Sequence, residues 1–226
     1  MGFFSPNFER EGTGIDKEED IEYNFISFFK LFIDKFWLLI KLNLLFILFS
    51  VPIVTIPASL GALNSITMLL VQRKHVFLWS DFVSKFKDNW KQSTICFILL
   101  GILSLFSLFC LNLYFNISQV NQMFIVLFFI TLSILFFLVM ISLYVYPIIT
   151  TISLPIKHIL KNSIFLSIVC IKNSILGLIV FTFFTISSII FLPFSMPVIL
   201  LIGFSIPSFI NSFITFPCVQ KYIAIS

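Results

Sequence analysis

Charge is scarce in this 226-residue chain: Asp, Glu, Lys and Arg make up 11% of it, where a soluble domain carries about a quarter. Acids thin out further, and none follows Asp88. Histidine occurs twice, at His75 and His158, each beside basic residues. Cysteine occurs four times, at Cys96, Cys110, Cys170 and Cys218, with no C-x-x-C pair. Each shortage excludes something. With 59% apolar residues and a mean hydropathy of +1.11, the low charge rules out a soluble enzyme and a disordered chain. Cysteines scattered through apolar runs give neither a disulfide framework nor zinc-ligand spacing, and read as small buried residues. Catalysis by paired carboxylates would have to use Asp81 and Asp88, about 10 Å apart along a helix. They read better as a solvated face. No phosphate loop, nucleophile elbow, zincin or dinucleotide fingerprint is present. The chain therefore reads as a non-enzyme that needs no cofactor or metal.

What remains is apolar sequence in long runs, with 32 phenylalanines. The fold expected is all-α: a multi-pass membrane bundle of about five transmembrane helices plus amphipathic interfacial helices. The spans fall at about 36–56, 94–115, 122–146, 174–192 and 198–217. Residues 1–20 are acidic and glycine-bearing, unlike a signal peptide, and read as a solvated flexible segment ahead of one transmembrane domain over 21–226. From Ile21, apolar residues recur at three- and four-residue steps through Phe25, Phe28, Phe32 and Phe36. That helix either lies at the membrane surface or leads into the first span. Residues 58–72 are uncharged but small and mixed; a surface or re-entrant helix is favoured over a sixth span. Trp79, Phe82, Phe86 and Trp90 share one face of a basic amphipathic helix, an interfacial pattern. Ser80 or Asp81 suits its N-terminus. Tyr144 and Tyr146 mark the exit of the third span, and Pro193 and Pro197 bracket an uncharged turn.

Charge also sets the threading. Residues 1–35 hold eight acids and four bases; from Lys41 onward there are ten bases and two acids. The bases cluster briefly between apolar runs, which suits a bilayer partner and not nucleic acid. Five spans put loops 57–93 and 151–173 and the C-terminus on one side, with nine bases, against hairpin turns with none. The positive-inside rule makes that side cytoplasmic and places the N-terminus outside with five spans, or inside if residues 52–72 form a sixth. Lys41, Asn43 and Asn211 are the basic and amide residues of the first and last spans. Lys41 snorkels from near a span end or is a buried functional group. Asn43 lies two residues on. Asn211, beside Ser208 and Ser212 and after Pro207, packs helices or lines a passage at a broken helix.

Several strings are distinctive together: Met1-Gly-Phe-Phe; Leu42-Asn-Leu-Leu with Pro52; Pro57-Ala58 and Ala62-Leu63 before Arg73; His75-Val-Phe-Leu-Trp-Ser-Asp-Phe82; and Phe86-Lys-Asp-Asn-Trp-Lys-Gln-Ser93. They resemble the YesL-like integral membrane family, the domain of unknown function DUF 624, most specifically over residues 36–93. The resemblance implies a multi-pass plasma-membrane protein of Gram-positive-type bacteria, often encoded beside carbohydrate uptake and breakdown genes. It carries over no catalytic residues. It marks Trp79, Ser80, Asp81, Phe82, Asn89, Trp90 and Lys91 as a signature on the cytoplasmic side. The function expected is an accessory or scaffold protein linked to carbohydrate utilisation, docking a carbohydrate permease or a sensor protein through helix 78–92. The alternative is a small homo-oligomeric transporter for a sugar or other small solute, with a polar path near Asn43 and Asn211.

Overall fold

A computed structural model of the chain describes residues 25–151, 154–192 and 196–224. The acidic 1–20 segment lies outside them. Among the described residues the protein is entirely helical: α1 (Phe25–Ser50), α2 (Ile56–Val71), α3 (Leu78–Ser118), α4 (Phe124–Thr151), α5 (Ile156–Val169), α6 (Ile171–Ile190), α7 (Met196–Ile202) and α8 (Ser205–Val219). A short 3-10 turn joins α1 to α2, and a wider helical turn follows α8. Segment 53–71, α3, α4 and α6 are each long and apolar enough to cross a bilayer. The pair Met196–Ile202 and Ser205–Ile223, bent by 51°, makes a fifth candidate if it counts as one broken span. The multi-pass all-α architecture thus follows from the uncharged runs 42–72, 92–156 and 173–220.

α1 is one unbroken helix. The amphipathic lead-in therefore continues into the apolar stretch and does not form a separate surface helix. Leu31, Leu39, Leu42 and Phe46 form its buried face, while Lys30, Asp34 and Lys41 are exposed. Those charges, with Lys35, leave α1 no uninterrupted span-length window as apolar as the others. The helix stops at Ser50, short of the expected Ile56, because Pro52 has no N–H to continue the ladder. The Thr55 hydroxyl caps the turn by donating to the carbonyls of Phe49 (2.5 Å) and Pro52 (2.6 Å).

α2 corrects the sequence reading most sharply. Residues 58–72 are not on the surface: nearly every residue of α2 is buried, and the helix packs on α1, α3, α4 and α8. Its small residues, which suggested a surface segment, are what lets four helices approach it. At the closest approach a Cβ on Gly61 would collide with Ser93 Oγ and stand 3.2 Å from Ser93 Cβ. We expect Gly61→Ala to cost about 1–3 kcal/mol through overpacking. Adding Ser93→Ala should recover most of that, because the hydroxyl is the main obstruction; a double-mutant cycle in detergent unfolding checks it.

The expected loops are also largely helical. The amphipathic segment 78–92 and the span 94–115 are one rod, α3, of 41 residues and about 61 Å, twice the hydrocarbon thickness. Loop 151–173 contains α5. α4 runs past Pro147 to Thr151, and Tyr144, expected at a membrane exit, is fully buried. Pro197 lies inside α7 and not at the edge of a turn; Pro193 lies outside the described residues. Two apolar cores result. One joins α1 and α2 to Phe82 and Phe209, and the other joins Cys96 and Leu100 to α4, α5 and the end of α8. The distal halves of α3, α4 and α6 expose Leu, Ile and Phe almost continuously, as lipid-facing helices do.

Candidate functional site

Polar groups inside this bundle gather around breaks in helices. The main break separates α7 from α8. Pro207 cannot donate to the carbonyl four residues back, and Gly203 occupies the corner. A Cβ there would lie 2.5 Å from Ile199 Cα, so only glycine fits. The corner frees the last carbonyls of α7 and the first N–H groups of α8, which need partners in a bilayer. Asn43, fully buried on α1, supplies them. Its Nδ2 donates to Ile199 O (3.1 Å) and Leu200 O (2.7 Å). Its Oδ1 accepts from Phe204 N (2.9 Å) and Ser205 N (3.0 Å). One side chain thus splices two half-helices.

Asn211 works the same way one helix over. Pro147 deprives the Leu143 carbonyl of its helical partner, and Asn211 Nδ2 donates to that oxygen at 3.0 Å. Asn173 Nδ2 donates to Ile214 O (2.7 Å), near Pro217. We expect Asn211→Leu to cost about 1–2 kcal/mol, the scale of an interhelical hydrogen bond in a membrane. The loss should shrink when Pro147→Ala restores a backbone donor to Leu143; equal losses in both backgrounds would remove this explanation. Between α2 and α8 runs a third polar seam. Ser208 Oγ donates to Asn64 Oδ1 (3.2 Å), and Thr67 Oγ1 lies 3.2 Å from Ser208 Oγ and 2.8 Å from Ser212 Oγ.

Against these breaks lies a cavity of about 590 Å³, within the range of small-molecule sites. Five elements shape it: Leu63 and Asn64 from α2, Gly101 and Ser104 from α3, Tyr146 from α4, Gly177 to Ile189 from α6, and Gly203 to Asn211 across the α7–α8 corner. No charged residue lines it. Two buried polar atoms of its lining residues, Asn211 Oδ1 and the Tyr146 hydroxyl oxygen, have no hydrogen-bond partner. Orphaned buried polar atoms are costly in an apolar medium and are candidates for ligand contacts.

The structure therefore brings Asn43 and Asn211 to one site, Asn43 behind the corner and Asn211 in the wall. Lys41 is exposed and does not line the cavity. The signature residues of α3 divide. Asp81 Oδ2 accepts from Phe77 N (2.8 Å) and Ser80 Oγ donates to Phe77 O (3.2 Å), so both secure the helix start. Phe82 is fully buried, and Asn89 Nδ2 donates to Ser65 Oγ (3.2 Å) on α2. Trp79, Trp90 and Lys91 remain exposed, Trp79 edge-on to Phe49. Sequence reasoning missed Asn64, Tyr146 and Gly203. Prolines at 147 and 207 were the available signal, since Pro147 frees the Leu143 carbonyl inside α4 and Pro207 that of Gly203 at the corner.

Residues 39–112 match the model of a family described as Protein of unknown function, DUF624. The matched stretch holds Asn43, all of α2 and the α3 wall of the cavity. No curated protein and no solved structure matches the chain.

Proposed function

We propose that this DUF624-family membrane protein is a carrier and not a catalyst, holding an uncharged solute in the cavity beside the α7–α8 break. The observation that carries this reading is the cavity itself, walled by five elements and uncharged. Broken helices with satisfied ends recur where membrane proteins hold a passenger, because a corner presents backbone and side-chain polar groups at depth. A charged solute would meet no counter-charge there. In a bacterial plasma membrane with the basic segments inward, the C-terminus would face the cytoplasm.

The test is thermal unfolding of the purified protein with neutral solutes of graded polarity, beside Gly101→Leu, which plugs the cavity. A solute that raises the midpoint of the native chain and not of the variant supports the reading, and its flux is then followed in proteoliposomes. If every solute acts equally on both, the reading fails.

One observation favours a second reading, an accessory protein docking a carbohydrate permease, a sensor protein or another copy of itself. Phe77, Trp79 and Trp90 are exposed along the polar half of α3, and aromatic anchors are enriched at interfaces. Native pull-down in mild detergent tests it. A stoichiometric partner released by Trp79→Ala with Trp90→Ala supports docking, and a partner retained by that variant opposes this surface.

A further inference from the structure

The chemistry of the cavity narrows the solute class, in an inference that rests on the carrier reading. We infer that the cavity takes the aliphatic or isoprenoid chain of an uncharged amphiphile bearing one small neutral head, such as a hydroxyl or ester, drawn from the surrounding lipid.

Three observations converge. The first is the rim. Phe97 on α3 and Phe181 and Ile189 on α6 both line the cavity and are exposed, 42%, 46% and 64% respectively. α4 packs on both α3 and α6, whereas α3 and α6 make no extensive contact with each other, so the cavity separates them. The surfaces beside the rim, with Ile98 and Ile102 on α3 and Ile179 and Phe183 on α6, are apolar and exposed. A rim of this composition within candidate spans opens to hydrocarbon. A solute arriving from water would cross a lipid-facing surface first.

The second observation is the poverty of free polar partners. Of the lining hydroxyls, Ser142 donates to Val139 O, Thr185 to Phe181 O, Ser188 to Phe184 O and Ser208 to Asn64, while Ser104 makes no side-chain hydrogen bond among the described residues. Asn64 Nδ2 is bound to Leu60 O and Asn211 Nδ2 to Leu143 O. Asn211 Oδ1 and the Tyr146 hydroxyl are buried atoms of lining residues left without a partner. With Ser104 the wall offers one unpaired amide oxygen and two hydroxyls, enough for one small neutral head. A monosaccharide brings several hydroxyls, and each one buried without a partner costs about 1–3 kcal/mol. The sugar expected of a transporter is thus a poor match to this wall.

The third is the absence of charge. The runs 42–72, 92–156 and 173–220, which supply every lining residue, contain no Asp, Glu, Lys or Arg. A fatty acid or phospholipid head placed in the wall would be a charge without a partner.

The test uses the full chain in phosphatidylcholine vesicles and a long-chain alkanol carrying a diazirine and a terminal alkyne. After illumination, labelled residues are mapped by mass spectrometry. The expected result is adducts on lining positions within 97–104 and 181–189, suppressed by excess unlabelled alkanol and lost in Gly101→Leu/Ser104→Leu. Adducts on outward residues such as Ile98 and Phe183 should persist in that variant and report an intact fold. The carboxylate of equal chain length should compete poorly. Labelling confined to outward faces, or unchanged by the plug, or equal competition by the carboxylate, would overturn the inference. If a monosaccharide gives plug-sensitive thermal stabilisation while the alkanol neither labels nor stabilises, the amphiphile class fails and the carrier reading stands. If neither ligand is plug-sensitive, both fail.

Discussion

Replacing Asn43 by alanine will unfold the α7–α8 corner and lower stability by on the order of 4 kcal/mol. The side chain serves two carbonyls and two N–H groups, all within the bundle. Alanine leaves the Leu200 carbonyl and the N–H groups of Phe204 and Ser205 unpaired where no water replaces the amide, while Ile199 O keeps Gly203 N, and each unpaired group costs about 1–3 kcal/mol. The corner cannot rescue itself by straightening into one helix, because Pro207 still lacks its donor. Asn43→Asp is the sharper variant. It keeps the acceptor but points a second oxygen at the carbonyls of Ile199 and Leu200, 3.1 and 2.7 Å away in the native chain. We expect Asp to be no better than Ala at neutral pH. Unfolding in detergent, followed by circular dichroism, measures both. A loss below about 1 kcal/mol for Asn43→Ala, the net worth of a single ordinary bond, would show that the corner does not depend on this residue.

Gly101→Leu will have the opposite profile: no loss of fold and a large loss of binding. Gly101 sits mid-α3 in the cavity wall, and a Cβ added there meets nothing within 4 Å. A helical glycine costs about 1 kcal/mol relative to alanine, so a leucine should hold or raise the unfolding midpoint. The same side chain projects into the space a solute would occupy. Binding should fall below detection in the thermal-shift assay while the unliganded protein is as stable as before. A variant that unfolds early would mean that the cavity closes in the native bilayer protein and that the leucine has nowhere to go.

These expectations show where the sequence was informative. The uncharged runs were legible because the cost of burying charge in lipid is large and local. Asn43 and Asn211 stood out because an amide in an apolar run demands a partner. Their partners were not legible: Asn43 meets carbonyls 156 and 157 positions away, a pairing no local pattern encodes. α2 was misplaced because glycine, alanine and serine serve close packing and surface segments equally well. Tyr144 was misplaced because tyrosine suits an interface and also a buried site with a partner; here its hydroxyl accepts from Ser174 Oγ at 3.2 Å. The cavity had no sequence signal, since it arises where α3 and α6 make no extensive contact.

The continuity of α3 has a mechanical meaning. Its wall residues Phe97 to Ser104 and its polar start at Leu78 belong to the same rod, which packs on α2 through Phe82, Asn89 and Ser93. The arm from Leu78 to Ser93 is about 22 Å long, so a tilt of the rod by about 10° would displace its far end by roughly 4 Å. Such a tilt would move Trp79 against Phe49, whose ring lies 6.0 Å away. We expect a solute that spreads α3 from α6 to change the fluorescence of this exposed indole, and an unchanged emission on binding would mean that the rod does not tilt.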